Sequence, residues 1–364
     1  MNFHLANDDT VCFIGDSITH AGAYHKIVSD SCTLRWPERR VRWRNCGISG
    51  DSAAGALGRF DTDIAPHHPT HAFVLFGMND GNRSLYTSPG NTAARAEAIA
   101  NHTSNMTQLV ARLQALGARQ VFLISPTAYD QYTRLETGGE PCGYDDALAE
   151  MGDAARTLAM RSGIGFIDLH TCFRAAVQAG RARYVSDDRV HPLPVGHFLM
   201  AVKILEALEL PAQGADGLPC VVSDEMWAAA PRELQAAWRA LNPMNERTIA
   251  QAREICRLTA ERHEYEIRRL RNPIAARMFL GWERHERRQH GIELPAEDHA
   301  AARLLVERNE GNPYVIGLYR DFLEYGGTAA RQEAWAELAA MDAAIRRAVE
   351  IPARPCEMRS SVRA

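Results

Sequence analysis

Val11-Cys12-Phe13-Ile14-Gly15-Asp16-Ser17-Ile18-Thr19 is a short apolar run that halts at a glycine and delivers a serine where the next element begins. A buried strand ending in a polar turn reads as the rim of a parallel sheet, because ligands gather at the carboxyl ends of strands in open α/β folds. A serine opening a helix there has backbone N–H donors around it, which makes Ser17 a candidate nucleophile. The competing reading is a serine that only caps the first helix.

Working outward, apolar runs at 10–14, 41–45, 72–76, 120–124 and 165–168 alternate with helical patterns from residue 8 to 208, the signature of a parallel sheet covered on both faces. Met106, Leu109, Val110 and Leu113 repeat at helical spacing within Thr103 to Leu116, and Gly117 supplies a stop. Five such units predict a flavodoxin-like α/β/α sandwich with strand order 2-1-3-4-5, which places Ser17 and Asn79 at the carboxyl ends of strands 1 and 3.

Three more blocks follow in order: Asn45-Cys46-Gly47-Ile48-Ser49-Gly50-Asp51-Ser52, Gly77-Met78-Asn79-Asp80 and Asp188-Arg189-Val190-His191-Pro192. With Gly15-Asp16-Ser17-Ile18-Thr19, they resemble the SGNH hydrolases, the GDSL-type esterase superfamily, over roughly residues 8 to 208. The resemblance implies Ser17 as nucleophile, His191 as base and Asp188 as its orienter. It also implies an oxyanion hole built from the N–H groups of Ser17 and Gly50 and the side-chain amide of Asn79. The residue types suit these tasks. An imidazole takes the serine proton, glycine lets the backbone approach the substrate, and an amide donates without acting as a base. Asp187 competes with Asp188, but the family spacing Asp-x-x-His selects Asp188. Asp16, Asp51 and Asp80 read as loop-ordering residues. The GISGDSA and GMND blocks look most like the carbohydrate-esterase-like members, implying removal of short acyl groups, acetyl foremost, from a carbohydrate. Lysophospholipase, thioesterase and a non-catalytic glycan-binding module are the alternatives. Acyl transfer of this kind requires no cofactor and no metal.

The other features are plainer. Among 364 residues, 46% are apolar and the net charge is −4, which offers no footprint for nucleic acid. Arg35 to Arg44 is basic with Trp36 and Trp43 interleaved, but Val41, Trp43 and Asn45 alternate with Arg42 and Arg44 as in an edge strand with one solvated charged face. His67, His68 and His71 match no zinc spacing and read as a solvated turn. The 8 cysteines form no CxxC pair, no signal peptide is visible and no apolar run is long enough to span a membrane. A reduced, cytoplasmic protein is expected. Loops 80–91 and 126–145 border the site, and their Tyr86, Tyr129, Tyr132 and Tyr144 either stack on a sugar or pack on their own scaffold.

Beyond Leu208 the pattern changes. Pro211 to Pro219 reads as a linker, dividing a catalytic domain (1–210) from a mainly helical region (211–364) without a chemical motif. Helices are expected over 245–271 and 273–290, with His263, His285, His290 and His299 on the surface. Trp335, Leu338, Ile345 and Val349 form an apolar stripe interrupted by Asp342, which needs a cover from the catalytic domain or from a second subunit of a homo-oligomer.

Overall fold

In the computed structural model, residues 3–36, 39–132, 143–209, 222–241 and 249–350 are described. Five parallel strands, β1 (Thr10–Gly15), β2 (Arg42–Gly47), β3 (His71–Leu75), β4 (Gln120–Ile124) and β5 (Gly165–Ile167), form one sheet in the order β2-β1-β3-β4-β5. The expected order 2-1-3-4-5 is the observed one. Beyond their first residues, Thr10, His71 and Gln120, the central strands β1, β3 and β4 are buried throughout because both faces are covered. On one face Val11, Phe13, Phe73, Leu75, Phe122 and Ile124 meet α2 (Ala23–Arg35), α6 (Leu169–Ala179) and α7 (Pro194–Ala207). On the other, Cys12, Ile14, Val74 and Leu123 meet α3 (Ala53–Gly58), α4 (Thr92–Ala115) and α5 (Tyr144–Ser162). In-register Phe13, Phe73 and Phe122 stack across three strands, with ring centroids 4.9 Å apart at each step.

Several expectations need correcting. Helix α4 starts at Thr92, eleven residues before Thr103, because its first turns are alanine-rich and largely exposed, so helix propensity rather than an apolar stripe extends it. His67, His68 and His71 do not share a solvated turn. His71 lies buried on β3 with Nε2 2.9 Å from the carbonyl of His4, whereas His67 packs on Trp335 and His68 is exposed. Among the described residues, no group of three or more His, Cys, Asp or Glu side chains is arranged to hold a metal ion. No described helix is long and apolar enough to cross a membrane.

The C-terminal helices are α8 (Asp224–Ala229), α9 (Arg232–Leu241), α10 (Ile249–Glu266), α11 (Asn272–Gln289), α12 (Asp298–Arg308), α13 (Pro313–Tyr325) and α14 (Thr328–Glu350). A π-helical turn, Ile267–Arg271, joins α10 to α11, so the two expected helices run on with Pro273 in the first turn of the second. The linker Pro211–Pro219 lies outside the described residues. Beyond it, Val222, Leu234, Trp238 and Ala252 complete the core under α7 and α2. Ile345 and Val349 of the stripe pack with Ile255 of α10, and Leu338 packs with Leu270, so the stripe is covered within the chain. Asp342 interrupts it because Arg262 and Arg44 bind its carboxylate at 2.5 and 3.2 Å. The charged face of edge strand β2 is therefore only partly solvated, since Arg44 is roofed by α14. His263 is likewise not a surface residue. It packs edge-on against His25 in a half-buried position, and His299 leans on Phe322.

Candidate active site

Asp16 ends the tight turn after β1 and caps the five-residue helix α1 (Ser17–Ala21), accepting from the Ile18 N–H at 2.9 Å. The cap belongs to Asp16, which leaves the Ser17 hydroxyl free for another partner. That partner is His191, with Ser17 Oγ 2.8 Å from Nε2. His191 Nδ1 lies 2.5 Å from Asp188 Oδ2, and Asp188 Oδ1 accepts from the backbone N–H groups of Val190 and His191, each at 2.9 Å. Serine, imidazole and carboxylate thus stand in one hydrogen-bonded series. Burial pushes the Asp188 carboxyl up, but hydrogen bonds from His191, Ser186 and the backbone hold it well below the usual range. The hydrogen bond to Asp188 raises the His191 pKa above its ordinary value, against the opposing effect of burial. Asp187 faces Arg183 instead.

The turn carrying Asp188 and His191 is fixed on both sides. Val185 and Pro192 form an antiparallel bridge, and Arg189 adopts a left-handed φ of 66°. The buried Arg189 side chain donates to the Asp130 carbonyl at 2.5 Å, tying this turn to the segment after β4. Sequence reasoning passed over Arg189. An arginine inside Asp-x-x-His reads as surface charge until the backbone shows where it points.

Gly50 and Asn79 line the same cleft as His191 and Asp188. One hydrogen of the Asn79 amide is donated to the Asp51 carbonyl at 2.7 Å, which orients the group and leaves a second N–H. Gly50 has a φ of +78°, and a Cβ there would fall 2.7 Å from the indole of Trp282 on α11. Both left-handed backbone and close approach therefore demand glycine. Asp51 binds Arg59 at 2.8 Å, and Asp80 accepts from the N–H groups of Ala53 and Gly77 at 3.0 and 3.1 Å, so these two carboxylates order the loops. Burial pushes Asp16 up to about 7, while its cap bond to Ile18 and the nearby His191 pull the other way.

The C-terminal helices hold the Gly50 loop from beneath. Ile48 is buried among Ala276, Leu280, Ile316 and Phe322. The Ser49 N–H donates to His20 Nδ1 at 3.0 Å, so the His20 proton sits on Nε2, which donates to Asn272 Oδ1 at 2.9 Å. Burial lowers the His20 pKa to about 3, keeping it neutral in this relay. Tyr314 reaches the Ser49 hydroxyl from α13. Nothing in the sequence of the helical region signals these contacts, because each is a lone polar residue on an otherwise ordinary helix. The loop tyrosines mostly resolve as scaffold. Tyr86, Tyr129 and Tyr144 are buried in one cluster with Met78 and Met151, and half-exposed Tyr132 bonds Asp145.

Known proteins resemble this chain in sequence and in fold. The family of GDSL-like lipases and acylhydrolases matches residues 13–199. An acetylxylan esterase from Geobacillus stearothermophilus is 22% identical over 219 residues, covering 56% of this chain and 95% of that protein. Among solved structures, a gut microbial diltiazem-metabolizing enzyme superposes with a TM-score of 0.74 at 18% identity, covering 96% of each chain, which shows a common fold that takes in the C-terminal helices. Because the family match begins before Ser17, ends beyond His191 and spans just over half of the residues, the chain belongs to the GDSL-like lipase/acylhydrolase family of SGNH hydrolases and is a carboxylic ester hydrolase.

Proposed function

We propose that the chain removes short acyl groups, acetyl foremost, from a carbohydrate through an acyl-enzyme on Ser17. The observation that carries the mechanism is the series Ser17 Oγ, His191 Nε2 and Nδ1, Asp188 Oδ2, with spacings of 2.8 and 2.5 Å. As Ser17 Oγ attacks the ester carbonyl, its proton passes to His191 Nε2, and Asp188 stabilises the imidazolium while holding Nδ1–H in place. Negative charge then builds on the former carbonyl oxygen, facing the N–H groups of Ser17 and Gly50 and the second N–H of Asn79. The imidazolium gives its proton to the sugar oxygen as the C–O bond breaks, so that the alcohol leaves as a neutral hydroxyl. Water repeats the sequence on the acyl-enzyme, with His191 again the base, releasing the carboxylic acid and restoring Ser17.

The acetyl and sugar assignments are supported by the likeness to an acetylxylan esterase and by the polar side chains of Asn82, Arg83, Ser84 and Thr87, which line part of the cleft. The test is a panel of aryl esters from acetyl to decanoyl beside acetylated xylosides and glucosides. A kcat/KM that peaks at acetyl, together with release of acetate from the sugars, is the expected result. A peak at eight carbons or more with no sugar turnover would point to a lipid ester and overturn this reading.

A further inference from the structure

Trp282 is the feature of the cleft that no catalytic step uses. It sits on α11, half of its surface is exposed (48%), and it lines the same opening as Asn79, Gly50, Asp188 and His191. About half of the indole is left open at the mouth of the site, where a ligand can reach its face. Its placement is also enforced. The six-membered ring edge lies where a Gly50 side chain would be, and Phe279 abuts it edge-on with centroids 5.1 Å apart. The ring is therefore held at a set distance from the Gly50 backbone, although the residue presenting it is more than 230 positions away in sequence.

The same cleft is also lined by Asn82, Arg83, Ser84 and Thr87, which supply amide, guanidinium and hydroxyl groups. A flat, exposed indole and several hydrogen-bonding side chains lining one cleft suit a ring with C–H faces and hydroxyl edges. An acyl chain would instead want apolar surface on all sides. The cleft, about 710 Å3, has room for such a ring.

We propose that Trp282 is the stacking platform for the pyranose ring that bears the ester, a specificity-determining residue supplied by the C-terminal helices. This rests on the sugar-ester reading above and adds the residue and the region that select the alcohol. The platform binds the ring face while the ester carbonyl reaches Ser17 Oγ. Its effect therefore falls on substrates with a ring and spares those without one.

The test compares kcat/KM for a methyl acetyl-xylopyranoside with kcat/KM for ethyl acetate, which has no ring to stack, in the wild type, Trp282→Ala and Trp282→Phe. The expected result is a sugar-to-ethyl-acetate ratio that falls at least tenfold in Trp282→Ala, mainly through KM, and is largely restored in Trp282→Phe. Equal losses on both substrates would assign Trp282 to supporting the Gly50 loop and overturn the proposal, as would an unchanged ratio. If the wild type itself leaves acetylated pyranosides intact while cleaving ethyl acetate, the sugar reading fails and the platform fails with it. An unchanged ratio in an enzyme that does cleave the sugar would defeat the platform alone.

Discussion

Under the proposed mechanism the side chains of Ser17, His191, Asp188 and Asn79 and the backbone N–H groups of Ser17 and Gly50 carry the chemistry, and substitution and titration separate their roles. Ser17→Ala should abolish ester turnover and block labelling by a fluorophosphonate; labelling at another serine would displace Ser17 from its role. Asn79→Ala should lower kcat by about 10²- to 10³-fold, the usual loss for one oxyanion donor. The pH profile tests His191. Only its neutral form accepts the Ser17 proton, and its pKa is raised, so activity should fall as pH drops through an apparent pKa above the ordinary imidazole value. Asp16 contributes to that rise through its charge. Asp16→Asn keeps an oxygen to cap Ile18 but removes the charge, so it should move the acidic limb to lower pH. A limb that stays in place or moves up would show that Asp16 does not influence the base.

At the scale of elements, the loop from Ile48 to Ser52 is held by helices that lie more than 200 residues downstream. Asn272→Ala leaves the His20 Nε2–H buried without a partner, which should cost about 1 to 3 kcal/mol of stability. A lower urea midpoint at unchanged slope, joined to a reduced kcat, is the expected result. Unchanged kcat at lower stability would mean that the relay serves folding alone. This division also explains what could be read in advance. The sheet order and the series Ser17, His191, Asp188 were legible because strand patterning and short catalytic blocks are local signals. The undersides of the blocks were not. Asn272, Tyr314 and Trp282 look like ordinary helix-surface residues, and only the packing of Ile48 under α11 and α13 brings them to the loop. The first half of α4 was missed for a related reason: exposed alanine-rich turns carry propensity without periodicity.

For the whole molecule, the question is whether residue 210 separates two folding units or only two roles. Phe198 on α7 packs against Trp238 with ring centroids 5.3 Å apart, and Trp238 is fully buried. Arg271, also fully buried, binds Asp63 at 2.9 Å, and Asp63 is shared with Arg59, which in turn holds Asp51 beside the cleft. Burial alone would raise the Asp63 carboxyl, but Arg271 and Arg59 hold it well below the usual range. Removing the C-terminal helices therefore uncovers Ile48, Phe198 and the α2 face and takes away one partner of a buried carboxylate. Each large apolar side chain returned to water costs about 1.5 to 3 kcal/mol. Three or four of them equal much of the 5 to 15 kcal/mol that holds a typical domain together. We expect residues 1–210 alone to aggregate or to elute as an expanded species without ester turnover. A soluble, monodisperse 1–210 fragment that cleaves acetyl esters as fast as the full chain would show that the catalytic sandwich folds alone and that the helices only cover it.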